Sequence, residues 1–251
     1  MADNKLFSIQ GRVYLGDRGS SGKLINPVWV GDANLTVEMS TETIKHKESF
    51  SGFRMLYGKM AKSKAATVNL QLFEFTKENL ALGLYASEKE FTAGTVTSEA
   101  FPSGLVDNQV VVLDHGRVSA LVITAGGAAL AEGVDWRLER PEAGHVRILN
   151  AAAFTGTVTA AYEYRAVTKF GMFTQTPPER WLQMVGVNTL NDQSVVVDLF
   201  RVQFDPAANL PLHNDEFGSF ELKGSALVDP MLVNQGDLGG FGSIEIDAEV
   251  G

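Results

Sequence analysis

The chain contains no cysteine. That absence removes disulfide scaffolds, thiolate-ligated zinc, iron–sulfur clusters and cysteine nucleophiles together. Long apolar runs are missing as well. No stretch of the 251 residues approaches the ~20 apolar residues that span a bilayer. The opening MADNKLFSIQ has no signal-type apolar core. Cations are the minority, with 21 Lys and Arg against 30 Asp and Glu and a formal net charge of −9. Such a chain should not grip nucleic acid over its whole surface, because phosphate binding needs clustered cations. These absences imply a soluble chain without membrane insertion, made and kept in the cytoplasm of its producer.

Catalytic patterns are scarce too. The histidines, His46, His115, His145 and His213, show no HExxH spacing. Gly16–Leu24 reads G-D-R-G-S-S-G-K-L, faintly like a phosphate loop. It is one residue too long, and Leu24 stands where a magnesium-holding Ser or Thr belongs, so a surface turn is the better reading. Asp114-His115-Gly116 reads as a solvated hairpin turn, because adjacent residues there point apart. No Ser sits in a G-x-S-x-G elbow. Glu132 with Asp135, or Glu139 with Glu142, could pair as carboxylates, but Arg137 and Arg140 alongside favour a surface charge cluster. The expectation is a protein that is not an enzyme, with no catalytic residue, cofactor or metal.

What is present is a globular balance, 45% hydrophobic and 20% charged, with period-two alternation throughout. Asn34–Lys47 is a long strand with Leu35, Val37 and Met39 on one face. Ala65–Phe75 is a second, with Val68, Leu70 and Leu72 inward, leaving Glu48–Ser63 as a 16-residue connection. A helix is expected from about Lys77 to Ala86, capped by Thr76 with Glu78 in its first turn. Short strands are expected at Gln109–Leu113, Val118–Thr124, Val146–Leu149 and Thr157–Tyr164. Longer ones follow at Trp181–Val187, Ser194–Phe204, Ser219–Val228 and Ser243–Val250. The fold class is therefore mainly β: a β-sandwich or barrel-like core from residues 1–100 and 168–251, one flanking α-helix, and a β-rich insertion or extension at 105–165. The texture changes near Gly94–Gly104 and Val167–Phe170.

Charge is unevenly placed. Ser40–Lys64 holds six cations against two carboxylates, whereas Asp205–Gly251 holds nine carboxylates against Lys223 alone. The basic segment also carries Phe50, Phe53, Met55, Leu56, Tyr57 and Met60, too apolar for a free solvated loop. It either folds onto its own core or packs on another subunit. The opposite charges tilt this towards self-association, since a contact between unlike patches makes rings or filaments. The contact residues are then Phe50, Phe53, Arg54, Met55, Leu56, Tyr57 and Lys59. Gly52 and Gly58 would loosen the segment in the free subunit, to be ordered on contact.

The order of these segments resembles the major tail tube protein of long-tailed bacteriophages. The resemblance is carried by G-R-V-Y-L-G (Gly11–Gly16), V-W-V-G-D-A (Val28–Ala33), the E-S-F-S-G loop (Glu48–Gly52), L-Q-L-F-E-F (Leu70–Phe75) and the helix T-K-E-N-L-A-L-G-L (Thr76–Leu84). E-G-V-D-W-R-L (Glu132–Leu138), G-H-V-R-I-L (Gly144–Leu149), V-T-A-A-Y-E-Y (Val158–Tyr164) and V-D-L-F-R-V-Q-F-D-P (Val197–Pro206) extend it over most of the chain. It implies a structural virion protein that forms hexameric rings stacked into a tube for DNA ejection. Double-stranded DNA would pass an acidic lumen without specific binding. The loop at Glu48–Ser63 would reach the neighbouring ring. Partners would be the chain itself and other tail proteins (tape measure, terminator, tip). A β-rich binding or adhesion module, carbohydrate-binding or immunoglobulin-like, is the alternative.

Overall fold

The computed structural model describes residues 6–20, 22–233 and 239–247. Its elements in chain order are β1 (Ile9–Arg18), β2 (Leu24–Trp29), β3 (Ala33–Lys47), β4 (Leu56–Leu72), α1 (Lys77–Leu84), β5 (Ser87–Phe91), β6 (Gly94–Ala100), β7 (Val110–Val112), β8 (Val118–Ala125) and β9 (Ala128–Ala129). There follow β10 (Trp136–Arg140), β11 (His145–Ile148), β12 (Val158–Tyr164), β13 (Val167–Gly171), β14 (Glu179–Asn188), β15 (Gln193–Phe204), β16 (Phe220–Ala226) and β17 (Gly242–Ile246). Among the described residues the chain is mainly β with one α-helix, as its alternation implies. It divides into two compact units: Met1–Ser87 with Phe170–Gly251, and Glu88–Lys169.

The first unit is built on an antiparallel sheet in the order β2-β1-β14-β15-β16-β4-β3. β15 is its hub. One edge pairs with β14, and the other is shared by β16 at Val202–Phe204 and β17 at Val195–Leu199. Both faces of β15 are largely covered, which explains its nearly continuous apolar run. Among the described residues no pairing joins β2 to β3, so no barrel closure is found there. Val68, Leu70 and Leu72 of β4 are fully buried with Leu182, Val202 and Leu222, forming the core. Beyond Ile246 the expected last strand enters residues 248–251, outside the described part.

α1 covers this core. Thr76 caps it, accepting from the Asn79 amide at 3.2 Å. The buried Asn79 side chain donates to the Val30 carbonyl at 2.8 Å, and the Tyr85 hydroxyl to the Phe204 carbonyl at 2.7 Å. Gly83 lets the helix approach closely: a Cβ there would stand 3.2 Å from the Phe220 ring. The phosphate-loop-like segment is the tail of β1, a turn and the start of β2, closed by the Gly19 amide on the Lys23 carbonyl at 2.8 Å.

The second unit begins earlier than the texture suggests. β6 pairs with β12, so residues 94–100 belong with this unit rather than with the core assigned to residues 1–100. Its sheets, β6-β12-β8-β9 and β10-β11-β7, share one core that includes Ile123, Trp136, Val146 and Ala160. The carboxylate candidates separate into structural roles. Asp135 accepts from the Ala131 amide at 3.0 Å and from Asn150 Nδ2 at 3.1 Å. Glu139 pairs with Arg147 at 2.8 Å, and those hydrogen bonds hold its carboxyl below the usual range. His115 is less solvated than a bare hairpin turn would leave it. It stacks on Tyr164 at 3.9 Å and meets the Tyr162 hydroxyl at 3.3 Å. Burial, and a hydrogen bond to Glu99, push that hydroxyl's pKa up.

Candidate functional site: a projecting basic arm

β3 and β4 pair without interruption from Ala33 opposite Leu72 to Lys47 opposite Leu56, with register shifts at Glu42/Thr43 and His46/Lys47. The ribbon has two unlike halves. Near the core, β4 buries alternate side chains. From Glu38 to Ala65, every residue is exposed except the half-buried Thr43 and Gly58 and the buried Glu48. At ~3.3 Å per residue, the pairs from Met39 to Lys47 reach roughly 25 Å past the last buried position.

The connection is therefore Glu48–Met55, not Glu48–Ser63. Leu56, Tyr57 and Lys59 lie on β4, and only Phe50, Phe53, Arg54 and Met55 lie at the tip. The reason is non-local. Both faces of the outer ribbon are wet, so period-two alternation vanishes there, and the ladder with β3 keeps the chain extended.

Glu48 closes the tip. Its carboxylate accepts the Phe50 amide at 2.8 Å, the Ser51 amide at 2.9 Å, the Met55 amide at 3.2 Å and the Ser51 hydroxyl. Those bonds, the Ser51 hydroxyl first, lower its pKa to about 2. Gly52 takes φ +79° with nothing near its missing Cβ, as the tight reversal requires. Sequence reasoning counted Glu48 only as a charge. The available signal was an acid followed by Ser51 three residues on, before Gly52.

The tip presents Phe50 edge-on to Tyr57, ring centres 5.9 Å apart, with Phe53 81% exposed beside them. Along the ribbon Ile44 faces Met60, and Lys45 faces Lys59. Lys62 pairs with Glu42 at 2.9 Å. Neither Lys45 nor Lys59 has an ion-pair partner among the described residues. Like charges directly opposite on a ribbon are unfavourable unless something acidic lies over them. Among the described residues no cluster of three or more His, Asp or Glu could hold a metal, and no helix is long and apolar enough to cross a membrane.

A family model described as "Protein of unknown function UCP028589" matches residues 6–245. The chain belongs to this family. No curated protein matches it. The match to UCP028589 runs through both units and includes the whole arm.

Proposed function

We propose that the chain is a structural virion protein whose rings, six subunits each, stack into the tail tube of a long-tailed phage, and that it is not an enzyme. The observation that carries this reading is the arm. Its ribbon places Met39, Ile44, Phe50, Phe53, Met55, Leu56, Tyr57 and Met60 in solvent, with nothing among the described residues to cover them. An apolar patch of that kind marks a contact surface. Its basic character and the acidic segment Asp205–Gly251 favour a heterologous contact, the type that builds rings and filaments. The site residues are Phe50, Phe53, Arg54, Met55, Leu56, Tyr57 and Lys59. Neighbours in the virion would be further copies and other tail proteins at the ends. DNA would pass without specific binding along a wall richer in carboxylates than in ammonium groups.

Negative-stain imaging and sedimentation over a concentration series test the reading. Rings or tubes growing with concentration are expected. A monomer at every concentration, with the arm aromatics binding sugar, would give the case to the β-rich binding module.

A further inference from the structure

We propose that the acidic, apolar grooves beyond the inner end of β4 receive the arm tip of a second copy of this chain. The inference rests on the assembly reading above and assigns its acceptor surface. Where β4 ends, Phe73–Phe75 and the segment 205–221 enclose two adjoining grooves of about 300 and 600 Å³. They share Pro211, Ser219 and Phe220. Phe75 is 62% and Leu212 74% exposed along the smaller groove. Glu74, Asp205 and Glu221 line the pair, and Asp215 and Glu216 stand in the same segment. Lys223 is the one cation among the described lining residues, and it lies 3.7 Å from Glu221.

Donor and acceptor match in two independent ways. The tip offers aromatic rings, and the groove offers apolar walls of a volume in the range that buries such groups. The ribbon offers Lys45 and Lys59 side by side, and the groove rim offers the carboxylates that would relieve them.

The topology then fixes which copy is engaged. Tip and grooves lie at opposite ends of the same strand. From Leu56 to Leu72, β4 spans roughly 50 Å at ~3.3 Å per residue. An arm cannot bend back onto its own groove without dissolving its ladder. The contact is therefore between copies, and with the assembly reading it is heterologous and repeats along the direction of β4.

The cysteine-free chain gives a direct test. Phe53→Cys and Leu212→Cys are introduced together, and the protein is oxidised at concentrations where the wild type assembles. A ladder of disulfide-linked multimers is expected on a non-reducing gel, with each single variant stopping at a linked pair. Independently, Phe75→Glu with Leu212→Glu changes exposed positions only, so circular dichroism should match the wild type. It should raise the concentration needed for assembly by about tenfold or more, as for loss of a central interface contact. If the charged variant assembles at the wild-type concentration and the double-cysteine variant gives no ladder, the tip docks elsewhere. The groove assignment then falls while the assembly reading stands. A wild type that stays monomeric at every concentration overturns both.

Discussion

Glu48 and Asp229 show what single carboxylates do in this molecule. With its pKa at about 2, below the usual 4.5, Glu48 contributes order to the tip that is fully present above pH 4.5. That order fades as pH falls from 4.5 towards 2 and is gone below, because the loosened tip binds the proton more readily. Protection of the Phe50, Ser51 and Met55 amides, taken as their exchange relative to the intrinsic rate at each pH, should fall across this window in the wild type and stay level in Glu48→Gln. The same variant keeps one acceptor oxygen, so tryptic cleavage after Arg54 should rise several-fold at pH 7 without global unfolding. Asp229 is fully buried and holds Arg18 through two bonds of 2.6 Å. Burial pushes its carboxyl up, but the guanidinium and the Met231 amide bring it below the ordinary value. Arg18→Ala would strand a buried charge and should cost ~3–5 kcal/mol by denaturant unfolding. Neither role was legible from residue type. Arg18 and Asp229 lie 211 positions apart, and only the fold brings them together.

β4 is buried along its inner half and exposed along its outer half, and substitutions along it should separate stability from the proposed assembly. Leu70→Ala, at a fully buried position, should lower stability by ~2–5 kcal/mol in chemical unfolding. Tyr57→Ala and Met60→Ala should change monomer stability by less than ~0.5 kcal/mol, yet impair assembly in sedimentation. β3, the inner half of β4 and α1 were legible because each leaves a local mark. The inner half of each strand has one wet face, the outer half of β3 keeps the β-branched Thr41, Thr43 and Ile44, and Thr76, Glu78 and the i,i+4 apolar pairs outline the helix. The outer half of β4 left none, since a ribbon in solvent on both sides needs no alternation. β6 was hidden for a related reason: G-T-V-T-S-E-A is short and polar, and its pairing with β12 comes from a partner about 60 residues on. Of the arm, the residue set was legible from its mixture of cations and aromatics. Its geometry was not, because Glu48 organises it through backbone amides that composition cannot reveal.

At the scale of the molecule, Glu88–Lys169 has its own core and two sheets, so it should fold when produced alone. Its circular dichroism should be that of a β protein, and Trp136→Ala, at a buried position, should unfold it. Replacing residues 88–169 by a short Gly/Ser linker should leave the first unit folded and competent to assemble, as judged by imaging. Calorimetry of the whole chain should resolve two transitions. The chain leaves the first unit at Ser87 and re-enters at Phe170, where β5 and β13 pair and the Ser87 hydroxyl lies 2.8 Å from that of Thr174. Exit and entry are thus neighbours, and whatever is spliced between them closes its own loop without stretching the scaffold. The position serves as a ready graft site, where a foreign domain, an epitope or a fluorescent reporter could be carried once per subunit by any assembly this chain forms.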